Sequence, residues 1–149
     1  MRLFIAMPST QQYDKQLGYS NIPGSLMIES QEGYSHILYN KLGFNDDDPD
    51  ASLKHKVFII GDSYTEAIQL DKSLSYPSLL ESALKNDSYD IIKIARDSYV
   101  PFHYPILSNR LYNEYNPEFT IVQFGSHSVS DLYGDNIKVQ YDDLGNIKH

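Results

Sequence analysis

The chain contains no cysteine. Disulfides, thiolate metal sites and a cysteine nucleophile are thereby excluded, and the compartment is left open. There is no tryptophan either, against 13 tyrosines, residues that sit well at a core edge with the hydroxyl in water. Basic residues are scarce: 12 Lys and Arg face 20 Asp and Glu, a formal net charge of -8. The basic stripe that grips phosphate polyanions is missing, so no nucleic-acid partner is expected. Long apolar runs are missing too. The opening "MRLFIAMPST" carries one basic residue and an apolar run too short for a secretory h-region or a membrane span. No internal repeat, low-complexity tract or glycine-rich phosphate fingerprint with a following lysine occurs.

What remains is a chain of 149 residues, 41% hydrophobic and 21% charged, which suits one domain with a real core. Residues 1–55 read as an N-terminal hairpin extension and linker. "SLMIES" and "YSHILYN" flank Gln31-Glu32-Gly33, with Gly33 expected to supply the turn. Pro23-Gly24 signals another turn. The run Asp46-Asp47-Asp48 with Asp50 reads as a solvated linker; it lacks the alternating spacing of a calcium loop, so metal binding is the lesser reading.

From residue 56 to 149 the rhythm is that of an α/β domain. "KVFIIG", "YDIIKIA" and "FTIVQFG" are apolar runs rich in Ile, Val and Phe, as buried parallel strands are. Two helical segments separate them. "YPSLLESALKN" places Leu79, Leu80, Ala83 and Leu84 on one face, and "PFHYPILSNRLYNEYNP" groups Ile106, Leu107 and Leu111 before stopping at Asn116-Pro117. Strand-helix alternation implies right-handed crossovers and a parallel sheet covered on both faces. Ligands of such sheets bind at the carboxyl ends of the strands. Here those ends are Gly61-Asp62-Ser63, Arg96-Asp97-Ser98 and Gly125-Ser126-His127. The tail "NIKVQYDDLGNIKH" alternates and turns at Asp142 to Asn146, a hairpin. No further βα unit follows, so the sheet is expected to be incomplete at its C-terminal side.

"VFIIGDSYTEA" is the stretch with chemical content. Ser63 stands where a buried strand passes into a helix, which exposes its hydroxyl at the sheet edge and aims N–H groups of the next turn toward it. Gly61 lets the backbone turn, and Asp62 can accept turn N–H groups. A plain helix cap accounts for Gly-Asp-Ser equally well, and from these three residues alone it is the favoured reading.

The longer stretch "VFIIGDSYTEAIQLDKSLSYPSLLESAL" resembles the first block of the SGNH, or GDSL, hydrolase family. The matching residues are Gly61-Asp62-Ser63-Tyr64-Thr65-Glu66 and, opening the next helix, Tyr76-Pro77. "YDKQLGYSNIPG" and "NKLGFND" resemble the segment that precedes the catalytic domain in a bacterial subgroup, and the likeness extends over roughly residues 13 to 140. It implies a three-layer α/β/α, flavodoxin-like parallel sheet. It also implies an acyl-transfer reaction with Ser63 as nucleophile and its own N–H as one oxyanion donor. No cofactor or metal is implied.

By the same likeness Arg96 falls where a glycine supplies the second donor, and His127 where an asparagine supplies the third. Ser128 stands where an aspartate often follows. Arginine adopts a positive φ only with strain; neutral histidine can still donate one N–H. The family's base, a histidine three residues after an aspartate, has no counterpart. His149 is terminal, the nearest aspartates being Asp142 and Asp143, and His36, His55 and His103 lack a base's context. His127, oriented by Asp97 or Asp131, could act as an improvised base; an oxyanion donor or a loop residue is the favoured reading.

Two functions therefore stand from sequence. One is a serine ester hydrolase or O-acyltransferase acting on a small-molecule, lipid or carbohydrate ester, with these residues a fragment lacking the Asp-x-x-His. The other is a non-catalytic carbohydrate- or acyl-binding relative. A nucleotide or phosphate binder, from topology alone, ranks third.

Overall fold

The computed structural model describes residues 9–126, 128, 140–141 and 147–148. At its centre lie three parallel strands, β5 (His55–Gly61), β6 (Tyr89–Ala95) and β7 (Phe119–Val122), in the order β6-β5-β7. Val57 of β5 is level with Ile91 on one side and Phe119 on the other. The first strand is thus central and the chain reverses direction of winding after β6, which opens a crevice at the carboxyl end of β5.

Alternation along β5 sends its side chains to two faces. Phe58 and Ile60 join Ile92 and Ile94 in one cluster, covered by Tyr104 and Leu107 of α3 (His103–Tyr115). Val57, Ile59 and Ile91 form another under Leu80 and Leu84 of α2 (Tyr76–Leu84). The two crossover helices therefore lie on opposite faces of the sheet. Only part of the apolar face expected of α2 is used: Leu80 and Leu84 pack, whereas Leu79 is 54% exposed and Ala83 is also exposed. Leu80 and Leu84 are one turn apart and form a single ridge against β5; the Leu79–Ala83 ridge is rotated toward solvent.

β7 departs from the expectation of a buried strand. All four of its residues are exposed, Phe119 at 59%. The run is apolar because it pairs with the buried β5; among the described residues no element covers either of its faces.

Ahead of the sheet, β1 (Gln11–Asp14) pairs antiparallel with β2 (Gly18–Asn21), and β3 (Leu26–Glu29) with β4 (Ser35–Leu38). The second pair is the one expected around Gln31-Glu32-Gly33. Gly33 does not serve there through a left-handed φ, which among the described glycines Gly18, Gly24 and Gly43 adopt. Its role is close approach: a Cβ would lie 2.2 Å from the Gln69 carbonyl oxygen, so only glycine lets this turn sit on the turn after the first helix. The first pair was not foreseen. Its turn is held by Asp14, whose Oδ1 accepts from the N–H groups of Gln16 and Leu17 at 2.9 and 3.0 Å. Arg110 of α3 clamps the same carboxylate through two bonds of 2.7 Å. That guanidinium, first among the causes, holds the Asp14 carboxyl down at about 2. Leu17 and Phe44 complete the α3-side cluster, so the N-terminal stretch and the sheet share one core.

Asp47, Asp48 and Asp50 of the acidic run are exposed, as expected of a solvated stretch; Asp46 is the exception. Asp46 is 9% exposed and its Oδ2 accepts the Lys93 N–H at 2.8 Å. The Asp50 N–H donates to Asp90 Oδ2 at 3.1 Å, and Asp47 pairs with Lys72. Through Asp46 the run satisfies one N–H, that of Lys93, on the outer edge of β6. Among the described residues no group of three or more acidic or histidine side chains is placed to hold a metal ion, and no helix is long and apolar enough to cross a membrane.

At the other end, β8 (Gln140–Tyr141) pairs antiparallel with β9 (Ile147–Lys148) as expected of the tail; the turn between them, with Asp142 and Asp143, lies outside the described residues.

Candidate active site

The carboxyl end of β5 turns directly into α1 (Ser63–Glu66), a single helical turn closed by Ala67 in the left-handed region at φ 53°. Gly61 permits this tight turn for a reason other than φ: a Cβ there would stand 2.1 Å from Thr65 Oγ1. The cap is Asp62, not Ser63. Its Oδ1 accepts from the Tyr64 N–H at 3.0 Å, and its carbonyl accepts from Thr65 and Glu66 at 3.0 and 2.9 Å. Three of the N–H groups expected to converge beside the serine are therefore taken up by Asp62. The Ser63 N–H is the donor of this turn that does not go to Asp62.

Ser63 itself is half-buried, at the first helical position, and no hydrogen bond engages its hydroxyl among the described residues. Ser63 borders a cleft of about 510 Å³ lined by Glu29, Gln31, Glu32, Tyr64, Ile68, Gln69 and Asp97 as well. The hairpin turn of β3–β4 makes one wall and the Asp97 loop another. Ser35 Oγ donates to the Ile68 carbonyl, fixing hairpin to floor.

Two further ties hold the strand-end loops together, and neither was legible as such. Ser128 donates to the second oxygen of Asp62 at 2.7 Å and accepts from Gly125 N–H at 3.1 Å. It thus tethers the loop after β7 to the Asp62 cap. Thr65 Oγ1 lies 3.1 Å from the Tyr76 hydroxyl and donates to Gln123 Oε1 at 3.3 Å. Tyr76, the residue before the helix-opening Pro77, is what joins α2 to α1.

The loop after β6 is anchored by a buried carboxylate. Glu66 is 2% exposed, and its Oε2 accepts the Asp97 N–H at 2.6 Å. Burial, outweighing this bond and the nearby Arg96 charge, lifts its carboxyl to about 7. Asn45 Nδ2 donates to the Glu66 carbonyl at 3.0 Å. Arg96 is 9% exposed and turns inward: its Nε donates to Asn21 Oδ1 at 3.1 Å and its Nη1 to the Asp97 carbonyl at 2.9 Å. Its guanidinium also stacks over Tyr99, 5.6 Å from the ring centroid. Arg96 needs no left-handed φ; Ser98 takes it, at 67°. The side chain is thus a strut behind the cleft wall rather than a group in the cleft. Glu66 was missed because a glutamate in a first helical turn ordinarily faces water; its partners lie 31 and 45 residues away.

The described histidines are committed elsewhere. His103 Nδ1 accepts the Val100 N–H at 3.0 Å, and burial pushes the ring down to about 4, so it is neutral near pH 7. His36 bonds Tyr34 at 3.0 Å. His55 bonds Glu118 at 2.5 Å at the opposite end of β5, roughly 20 Å of strand from Gly61. His127, Asp131 and His149 lie outside the described residues.

Comparison with protein-family models, with curated proteins and with solved structures returns no match.

Proposed function

We propose that the protein is an SGNH-type serine ester hydrolase or O-acyltransferase, built on a flavodoxin-like sheet, with Ser63 as nucleophile. The observation that carries this reading is the division of labour at the turn. Asp62 performs the capping task that would otherwise account for the Gly-Asp-Ser sequence. Ser63 is left lining a cleft at the carboxyl end of the central strand, with no described hydrogen bond to its hydroxyl. In the reaction Ser63 Oγ attacks the ester carbonyl and its proton passes to a base. The bond to the alcohol breaks, and the alcohol leaves with that proton. Water or a second hydroxyl then cleaves the acyl-serine, releasing an acid or a new ester. The negative charge on the tetrahedral oxygen falls to the Ser63 N–H, to the N–H of Arg96 after β6, and to His127 if its ring occupies the asparagine position.

A second reading has a specific observation behind it: among the described residues no histidine stands beside Ser63. A binding module that keeps the cleft without turnover fits that fact. A fluorophosphonate probe separates the two. Labelling at Ser63, lost in Ser63→Ala, is the expected result, with p-nitrophenyl acetate hydrolysis lost in parallel. A folded protein that takes up no probe and leaves p-nitrophenyl acetate untouched sinks the catalytic reading in favour of the binding one.

A further inference from the structure

We infer that Glu66 is a positioning residue: as a carboxylate it holds the loop after β6 against the turn that carries Ser63, and as a carboxylic acid it lets that loop loosen. The consequence for catalysis rests on the serine reading; the tie itself does not. Glu66 closes the same helical turn that Ser63 opens, and Asp97, at the far end of the tie, lines the same cleft as Ser63. The donors around the carboxylate are fixed. Its Oε2 accepts the Asp97 N–H at 2.6 Å, and its Oε1 faces Asn21 Nδ2 at 3.5 Å. Asn21 is 4% exposed, and its amide has only one orientation that satisfies its neighbours. Nδ2 also donates to the Gly43 carbonyl at 3.1 Å, which has no proton to give, and Oδ1 accepts from Arg96 Nε at 3.1 Å, which has no lone pair to offer. Both oxygens of Glu66 thus look onto donors. A carboxylate answers both; a carboxylic acid must set its own proton against one of them.

The loop at the other end of the tie is under restraint. Ser98 stands in the left-handed region at φ 67°, a conformation that a residue with a Cβ keeps only where its surroundings hold it. The bonded Asp97 N–H lies one residue before it. A hydrogen bond to an ionised group is roughly twice as strong as one between neutral groups, so loss of the Glu66 charge weakens the restraint beside the strained residue. The charges facing Glu66 are mixed. Arg96 favours the carboxylate and Asp97 opposes it. Lys93 of β6 also feels the Glu66 charge, after that of Asp46, and so do the Tyr39 and Tyr99 hydroxyls. Burial outweighs the favourable members and lifts the Glu66 carboxyl to about 7, so its two forms exchange near neutral pH. The loop carries the Arg96 N–H assigned above to the oxyanion, and displacement of such a donor slows reaction at the serine.

The test follows the Asp97 amide and the labelling of Ser63 in the whole protein, in the parent, Glu66→Gln and Glu66→Ala. Proton–nitrogen NMR should show the parent's Asp97 amide proton far downfield at pH 8.5, moving upfield on acidification with a midpoint of about 7. In Glu66→Gln, which keeps one acceptor but no titrating proton, that amide should stay in place. Fluorophosphonate labelling is read as the ratio of parent to Glu66→Gln rates, which cancels any base the two share. The ratio is expected to be close to unity at pH 5.5 and about fivefold at pH 8.5, the difference between a charged and a neutral acceptor. Glu66→Ala should label about tenfold more slowly than the parent at pH 8.5; if it does not fold, the Glu66→Gln comparison carries the test alone. A merely structural glutamate gives a ratio that does not change with pH. That result overturns the inference, as does an Asp97 amide that does not titrate or that titrates equally in Glu66→Gln. An amide that follows Glu66 in a protein that takes up no fluorophosphonate supports the tie and removes the serine reading. Labelling at Ser63 with a flat ratio keeps the serine reading and removes the role of Glu66.

Discussion

Ser63 and Asp62 are neighbours with opposite commitments, and the difference is measurable. Asp62 caps α1 through one oxygen and receives the buried Ser128 hydroxyl on the other. Replacing it with alanine removes a cap worth about 1 kcal/mol. It also strands a hydroxyl in a residue that is 1% exposed, costing a further ~1–3 kcal/mol. Ser63→Ala removes no described partner and should stay within about 0.5 kcal/mol of the parent. Urea denaturation of the two variants checks this, and a Ser63→Ala loss as large as that of Asp62→Ala would show the hydroxyl to be structural after all. The titrating residues give a second expectation. Burial lifts the carboxyls of Asp46 and Glu66 to about 7, well above the ordinary value near 4. Between those limits the unfolded chain releases protons that the folded chain keeps, so stability falls as pH rises from roughly 4 to 7 and levels off above. Two groups act in the other direction. The contribution of Asp14, held at about 2, is present above about 4 and is lost as pH falls toward 2. That of His103, held at about 4, is present above about 6.5 and is lost as pH falls toward 4, which offsets one of the two carboxyls and leaves a shallower net fall. Thermal melts should therefore peak in mild acid, and Asp46→Asn with Glu66→Gln should flatten the slope on the neutral side. A melting temperature that climbs steadily from pH 4.5 to 7.5 contradicts this.

Elements differ in how openly the sequence announces them. The strands β5 and β6 are apolar runs rich in Ile, Val and Phe, and their burial on both faces is what that composition suggests. β7 carries the same signature yet is exposed, because composition records what a strand can bury and not what covers it. Helix α2 shows the limit of periodicity in the same way: five apolar residues in nine admit more than one ridge, and contact with Ile59 selects Leu80 and Leu84. Leu80→Ala is expected to cost about 2–3 kcal/mol, the lower part of the range for a partly buried leucine, while Leu79→Ala costs under about 0.5 kcal/mol. Equal losses in a denaturant series would mean that α2 packs on its other ridge. The site was legible to the same uneven degree. The Gly-Asp-Ser turn is local, so its position could be read directly. The Glu66–Asp97 and Ser128–Asp62 ties join residues 31 and 66 apart, and the acidic run finds its role against a strand more than 40 residues downstream. Nothing in the neighbouring residues of these side chains distinguishes a buried acceptor from a solvated one.

For the whole molecule the decisive question is whether the first 55 residues and the sheet unfold together. Leu17 and Phe44, both 6% exposed, sit in the cluster with Phe58, Ile60, Ile92 and Ile94. Arg110 of α3 grips Asp14 at the edge of that cluster through two oxygens, a bidentate geometry stronger than an ordinary surface pair. The Asp46 and Asp50 bonds tie the acidic run to Lys93 and Asp90 of β6. Three independent attachments, one apolar and two polar, thus join the same two stretches, and loss of either stretch would expose core side chains of the other. Phe44→Ala should then lower the stability of the entire protein by about 3–5 kcal/mol, with a single transition and an unchanged urea slope. Tyrosine fluorescence and far-ultraviolet circular dichroism should report the same midpoint. Two separated transitions, with the sheet keeping its original midpoint in the variant, would instead show that the N-terminal stretch folds on its own and only leans on the α/β unit. In that case the hairpin wall over Ser63 would open without the sheet unfolding, and ligand protection of the site would disappear at the first transition.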